Sequence, residues 1–549
     1  MSSIKQFSHK EINKSNPLFS PVRNTLETMF YGNNVSFIQS IAEAYQLAKM
    51  ASRTIVTDLF VCQPELLGLP TDSRVLVTND GSVVGRTATA RRIIGQPGVD
   101  ENYYSGILRE AMYQLSKKKT RAATIGIGLS GDFMLRGHLM LPEGFEGNLY
   151  SYLLNFQFFD TAFHKKFVAS TAYNEGDLYI VADPDWVHPD FPQGLVLIDP
   201  LHNSAAILGL RYFGELKKAT LSLTWAAAHR NGFIACHGGM KQYEKEDSTY
   251  TMAAFGLSGS GKSTITLAKH HNEQAVTVLH DDAFIISKEN GSSIALEPSY
   301  FDKTQDYPMS DPAVTYFLTC QNIGVTLDDE NNKVLVTEDI RNGNGRTVKS
   351  SLSTPNRKNH LTEKIDAVYW IMKDDSLPPV VKIEDPVLAA LFGVTLATKR
   401  SSAENLSIAF DQEQLVIEPF ANPFRCYPLA EDYEDFLALF QKGTDCYILN
   451  TGYFNGVKIQ PTETLSSIDK IVEQQATFLS FGSFDSMSYL PVNEHIPDFS
   501  NPHYLEKIRQ RLTARLDFIK KQQTSFEGYN ALPNEAESAL SALITKIDQ

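Results

Sequence analysis

No window of eighteen consecutive apolar residues occurs in these 549 residues, so neither a membrane-spanning helix nor a membrane partner is expected. Cysteine is scarce: Cys62, Cys236, Cys320, Cys426 and Cys446 stand apart, with no C-x-x-C pair. That spacing argues against a zinc cluster or a disulfide framework and fits a reducing, cytoplasmic setting. Positive charge is outweighed, 50 Lys and Arg against 64 Asp and Glu, for a formal net charge of −14. A nucleic-acid binder usually shows a basic face, so no nucleic-acid partner is expected. The opening stretch, MSSIKQFSHKEINKSN, has no apolar h-region, and no secretory signal is expected. No internal repeat is visible, and nothing fixes the oligomeric state; a monomer is the working expectation.

Against these absences stands ample apolar content, 42%, enough to bury large cores in a chain of two to four domains by length. Short apolar or alternating runs from Thr54 to Pro200, such as RVLVT, AATIGIGL, LYIVAD and LVLID, read as strands. VSFIQSIAEAYQLAKM carries helical spacing, and LKKATLSLTWAAAHRNGFIACHGG crosses a helix and enters a strand. The charged tail from about Tyr504 reads as a helix whose charges form a solvated face.

The strongest local signal is AAFGLSGSGKSTITLAKHH, Ala253 to His271. It matches G-x-x-x-x-G-K-[ST] in full, between a strand-like run and a helix-like one. Such a loop cradles phosphates: Gly256, Leu257, Ser258, Gly259, Ser260 and Gly261 supply backbone N–H groups and Lys262 reaches the β/γ-phosphates. The Ser263 hydroxyl can sit on Mg²⁺, with Thr264 beside it. The pattern arises by accident in about one or two chains per hundred of this length, so a ligand-free turn is set aside and a nucleoside triphosphate is expected. A second signal is AVTVLHDDAF, a strand presenting Asp281 and Asp282 at its end, where these folds hold a metal or its water.

A third element turns the reading toward one chemistry. RYFGELKKAT supplies Tyr212, Lys217 and Lys218, and ACHGG places His237 nineteen residues past Lys218. With the loop and the two aspartates, this series resembles the ATP-dependent phosphoenolpyruvate carboxykinase family. That family has a tyrosine, two lysines, a histidine, the phosphate loop and a strand ending in two aspartates. LEPSYFDKT, TEDIR ending at Arg341, LATKRSSAEN and YILNTGYFNGVKI resemble further family segments in the same order, and VVGRTATAR with Arg86 resembles its arginine motif.

The resemblance implies an α/β protein with a two-lobed phosphoenolpyruvate carboxykinase-like fold and a P-loop nucleotide-binding C-terminal domain. Residues 1–232 would form the N-terminal substrate-side domain, and residues 233–549 the C-terminal domain with a helical tail. It implies conversion of oxaloacetate and ATP into phosphoenolpyruvate, CO₂ and ADP, with Mn²⁺ on the substrate side and Mg²⁺ on the nucleotide. Lys218, His237 and Asp282 would ligate Mn²⁺, which accepts such a mixed nitrogen and oxygen set. Lysine must be neutral to ligate, and both Lys217 and the metal favour loss of its proton. Arg86 and Arg341 would clamp carboxylates, Tyr212 would position the carboxyl group, and Lys458, Ile459 and Thr464 fall where the family contacts ATP.

The organic pocket departs from the family: Phe213 replaces a glycine, Gly238–Met240 replace Cys-Ser-Ala, and Ala283 and Phe284 replace Glu-His. The departures keep open a kinase of the same fold that passes the γ-phosphoryl to another small molecule or to a protein. A catalytically weakened binding protein is the third reading.

Overall fold

The computed structural model describes residues 7–79, 87–257, 259–269, 275–338, 340, 343–399 and 415–547. Arg86, Ser258 and Arg341 lie outside them, as does most of LATKRSSAEN. The chain is a mixed α/β protein of two compact units. The first is built from Met1–Asn231 and Ala295–Pro355; the second takes Gly232–Ile294, Asn356–Ser401 and Ala409–Gln549.

In the first unit, among the described residues, one sheet runs Val35–Phe37, Thr120–Ser130, Phe133–Pro142, Leu178–Asp183, Ser204–Leu208, Leu195–Asp199 and Arg91–Ile93. LYIVAD and LVLID are buried at every position, which is why they read as continuous apolar runs. Helix Glu101–Leu115 lays Tyr104, Leu108 and Met112 against Met140, Val181, Leu197 and Ala206. A second sheet orders Tyr300–Lys303, Arg346–Lys349, Phe317–Gln321, Arg74–Thr78 and Thr54–Phe60. Helix Phe213–Arg230 is buried over most of its length. VSFIQSIAEAYQLAKM is split: Val35–Phe37 is an edge strand, and the helix begins at Ile41 because Ser40 caps it through the Glu43 N–H.

In the second unit the main sheet orders Val276–His280, Gly239–Glu244, Thr249–Phe255, Ala367–Met372, Asp445–Asn450, Val380–Ile383, Met487–Tyr489 and Leu479–Ser480. A smaller sheet pairs Phe233–His237 with Ala283–Ser287, and continues through Ser293–Ala295 to His360–Leu361. Strand Thr249–Phe255 alternates its faces. Met252 and Ala254 pack toward Ile265 of the short helix Lys262–Leu267. Phe255 meets Trp370 and Phe436 on the other side. The loop between this strand and helix is therefore anchored at both ends.

The tail helix, Pro502–Thr524, is not merely a solvated face. Lys507, Arg511 and Arg515 recur at four-residue spacing, so they share one side. That side grips Asp374 and Asp375, and Arg515 is itself buried against Asp374 at 2.8 Å.

Candidate active site

Two strand pairs of the second unit change sheets at the same level. Phe233–His237 belongs to the smaller sheet and Gly239–Glu244 to the larger; Val276–His280 and Ala283–Ser287 make the reverse crossing. The crossings are stitched by the Gly238 N–H on the Asp282 carbonyl at 3.0 Å. His237 and Asp282 are thereby brought side by side. His280 shapes the second crossing, its Nδ1 accepting the N–H groups of Asp282 (3.0 Å) and Ala283 (3.2 Å). A β-carbon on Gly239 would lie 1.9 Å from the Thr266 Oγ1 of the loop helix. The Gly-Gly pair after His237 therefore permits close packing of helix on strand.

The His237–Asp282 contact has a specific electrostatic character. His237 Nδ1 bonds the Ala421 carbonyl oxygen, which can only accept, so Nδ1 carries a proton. In a neutral imidazole, Nε2 then holds a bare lone pair, and it lies 2.9 Å from Asp282 Oδ1. In that form two lone pairs would meet at hydrogen-bond distance. A second ring proton or a cation shared by both satisfies them, and a histidine held through its other nitrogen is the usual form of a metal-ligating imidazole. These two donors therefore fit a divalent cation. The orienting carbonyl comes from a left-handed segment, Phe420 at φ 53° and Ala421 at φ 51°, a conformation that costs non-glycine residues on the order of 1 kcal/mol or more each.

Lys262, the first residue of the loop helix, is nine-tenths buried and its Nζ lies 3.8 Å from Asp282 Oδ1. Gly261 takes φ 97° to open that helix, a backbone state open to glycine at no steric cost. Gly256, Leu257, Gly259 and Ser260 complete the described part of the loop, with the Ser260 N–H on the Leu257 carbonyl at 3.0 Å. Ser263 is half-buried and Thr264 exposed. Thr451 donates to the Ser260 carbonyl at 2.8 Å; in a trans peptide this turns the Gly261 N–H the opposite way. Thr451 follows strand Asp445–Asn450 and leads into the hairpin Tyr453–Phe454/Val457–Lys458. Lys458 is exposed there, while Ile459 and Thr464 are buried.

Tyr212 and Lys218 belong to the first unit. Tyr212 is the cap residue of helix Phe213–Arg230 and is buried. The Phe213 N–H donates to Gln321 Oε1 at 2.9 Å, and the rings of Tyr212 and Phe213 lie 6.1 Å and 5.1 Å from Phe301. Glu215, fully buried, accepts the Thr87 N–H at 3.0 Å and so fixes the residue after Arg86 to this helix. The adjacent lysines differ. Lys217 is fully buried and paired with Glu297 at 2.9 Å, which offsets its charge. Lys218 is half-buried, its ammonium 5.8 Å from the Trp225 ring.

Sequence reasoning passed over Arg346 and Ala421. Arg346 stands opposite Gln321 and Lys303 in the second sheet of the first unit, buried, and its Nη2 has no hydrogen-bond partner among the described residues. Gln321 reaches the Arg211 carbonyl and the Phe213 N–H, so Arg346 shares a sheet face with the support of Tyr212. The only sequence signal was an arginine opening the strand RTVK after a glycine-rich loop.

A model of the phosphoenolpyruvate carboxykinase family matches residues 66–498, and the chain belongs to that family. Among curated relatives, the phosphoenolpyruvate carboxykinase (ATP) of Aeropyrum pernix is 25% identical over 285 residues, 50% of this chain and 57% of its own. That of Dictyostelium discoideum is 25% identical over 214 residues, 36% of this chain and 37% of its own. The glycosomal enzyme of Trypanosoma cruzi is 26% identical over 206 residues, 34% and 42%. The chain thus spans roughly half the length of the curated relatives it matches.

Proposed function

We propose that this chain is an ATP-dependent phosphoenolpyruvate carboxykinase, which turns oxaloacetate and ATP into phosphoenolpyruvate, CO₂ and ADP. The observation that carries the reading is the His237–Asp282 pair, an imidazole nitrogen and a carboxylate oxygen held 2.9 Å apart with the loop's Lys262 3.8 Å from the same carboxylate. A triphosphate is best read by the loop Gly256–Thr264, with Lys262 on its β/γ-phosphates and Ser263 toward its Mg²⁺. His237 and Asp282 would hold Mn²⁺, and Lys218 is assigned as their co-ligand on the family resemblance alone. When bound, the ion supplies Lewis-acid stabilisation of negative charge developing on oxygen.

The chain's own groups account for the rest. Breaking the bond to the departing carboxyl group leaves an electron pair as an enolate, whose oxygen then takes the γ-phosphoryl of ATP. Tyr212, at the N-cap position of a helix whose Phe213 N–H is held by Gln321, would position the carboxyl group. Arg86 and Arg341 would clamp carboxylates by paired hydrogen bonds, a task suited to a planar fork, and buried Arg346 is assigned to the same task. The rings of Phe213 and Phe301 would exclude water and protect the enolate from protonation. Lys458, Ile459 and Thr464 would meet the adenosine side of ATP. The same reading makes residues 1–232 the substrate-side domain and 233–549 the P-loop domain, with Ala295–Pro355 returning to the first unit. It places the enzyme in the cytoplasm, in keeping with five free cysteines and no membrane-crossing helix among the described residues.

Purified protein with ATP, Mg²⁺, Mn²⁺ and oxaloacetate is expected to form phosphoenolpyruvate and ADP in equal amounts. Bound ATP with no phosphoenolpyruvate formed would overturn the reading in favour of a kinase with another acceptor.

A further inference from the structure

One cation at the phosphate loop belongs to none of the motifs. Strand Ala367–Met372 runs parallel to the loop strand, with Phe255 opposite Trp370. Lys373 therefore leaves its strand at the same carboxyl edge from which the loop departs, the edge where open α/β sheets take their ligands. Its Nζ donates to the Gly259 carbonyl at 2.9 Å.

The residues after Lys373 are fastened with unusual density. Asp374 is fully buried and takes Arg515 at 2.8 Å, with Ser376 Oγ on its other oxygen at 2.7 Å. Asp375 takes Arg511 at 2.9 Å and Lys507 at 3.4 Å. Asn450 Nδ2 reaches the Asp374 and Leu377 carbonyls, and Tyr504 the Ser376 carbonyl. The basic side of the tail helix thus ends on the segment that carries Lys373. A fold held by its apolar core has no need of a desolvated Asp374–Arg515 pair at a strand end; holding a lysine backbone in place against a phosphate loop gives that pair a use.

We propose that Lys373 is a second lysine of the phosphate loop. It fixes the Gly259 carbonyl and sets a positive charge beside the anionic phosphates of a nucleotide, mounted there by Asp374, Asp375 and the tail helix. The inference rests on the nucleotide-site reading above. A loop carbonyl tied to an ammonium is preorganised, so less ordering remains to be done when the ligand arrives. The added charge acts only on the phosphate part of the ligand.

The test is MgATP affinity of the full-length protein by calorimetry at two salt concentrations, for wild type, Lys373→Met, Lys373→Arg and Lys262→Met. Lys373→Met is expected to weaken MgATP about tenfold and to flatten the salt dependence. Lys373→Arg should keep affinity within about threefold, which separates loss of charge from loss of fold. Wild-type affinity and salt dependence in Lys373→Met would overturn the proposal. So would a Lys373→Arg variant as weak as the methionine one while both melt as wild type does. Lack of MgATP binding by wild type, or indifference to Lys262→Met, would instead strike the nucleotide site itself.

Discussion

Charged groups are used differently in the two units. Around helix Phe213–Arg230, Lys217 is closed onto Glu297 and Glu215 onto Thr87, with Arg91 4.0 Å from Glu215. These contacts hold the protein to itself. At the glycine-rich loop, carbonyls are tied off by Thr451 and Lys373, while His237 Nε2 lies 2.9 Å and Lys262 Nζ 3.8 Å from Asp282 Oδ1. The loop side is the ligand site of the proposed reading, with its backbone fixed by side chains of the same unit. The helix side is a support, with the Phe213 ring where the resembled family carries glycine.

Four substitutions would break or sharpen that contrast. Lys262→Met removes the loop's own cation, and phosphoryl transfer is expected to fall about a thousandfold; turnover within tenfold of wild type would undo the loop assignment. Glu297→Gln should act on stability instead. It strands the buried Lys217 ammonium at a cost of about 3 kcal/mol, read as a lowered denaturation midpoint, and MgATP affinity should hold. A variant as stable as wild type would show that Lys217 is not closed onto Glu297. Gly239→Ala forces a methyl group onto Thr266, whose hydroxyl bonds the Lys262 carbonyl at 2.9 Å. About 2 kcal/mol of stability should be lost, with MgATP affinity falling alongside; a loss of stability alone would separate the loop from this packing.

The smallest effect concerns Lys241, the third residue of strand Gly239–Glu244 beyond the crossing. Burial pushes its amine from the ordinary 10.5 down to about 8. The native state resists the charged form, so the penalty is complete below pH 8, shrinks between pH 8 and 10.5, and is gone above. Lys241→Met should be more stable at pH 7 by about 1 kcal/mol net of the lost bond to Ala268. That advantage should fade as pH rises toward 10.5, and an advantage that grows with pH would reverse the sign assigned here.

What could be read from sequence was local. The strand, turn and helix around Gly256–Lys262 follow from glycines and a lysine at fixed spacing. The strand ending at His280 followed from an apolar run stopped by two acids. Tertiary partners could not be read this way. The Ala421 carbonyl reaches His237 across 184 positions, and nothing in PFANPF announces a left-handed pair. Lys507, Arg511 and Arg515 passed as solvated charge because their spacing says only that they share a side; that Asp374 and Asp375 meet that side is a matter of packing. Lys217 and Lys218 look alike in sequence, and Glu297, eighty positions on, is what tells them apart.

The account turns on a divalent ion shared by His237 and Asp282, and Mn²⁺ titration followed by electron paramagnetic resonance tests it most directly. Wild type should bind Mn²⁺ in the absence of nucleotide, and His237→Gln and Asp282→Asn should each weaken that binding at least about tenfold. Unchanged Mn²⁺ affinity in both variants would contradict it.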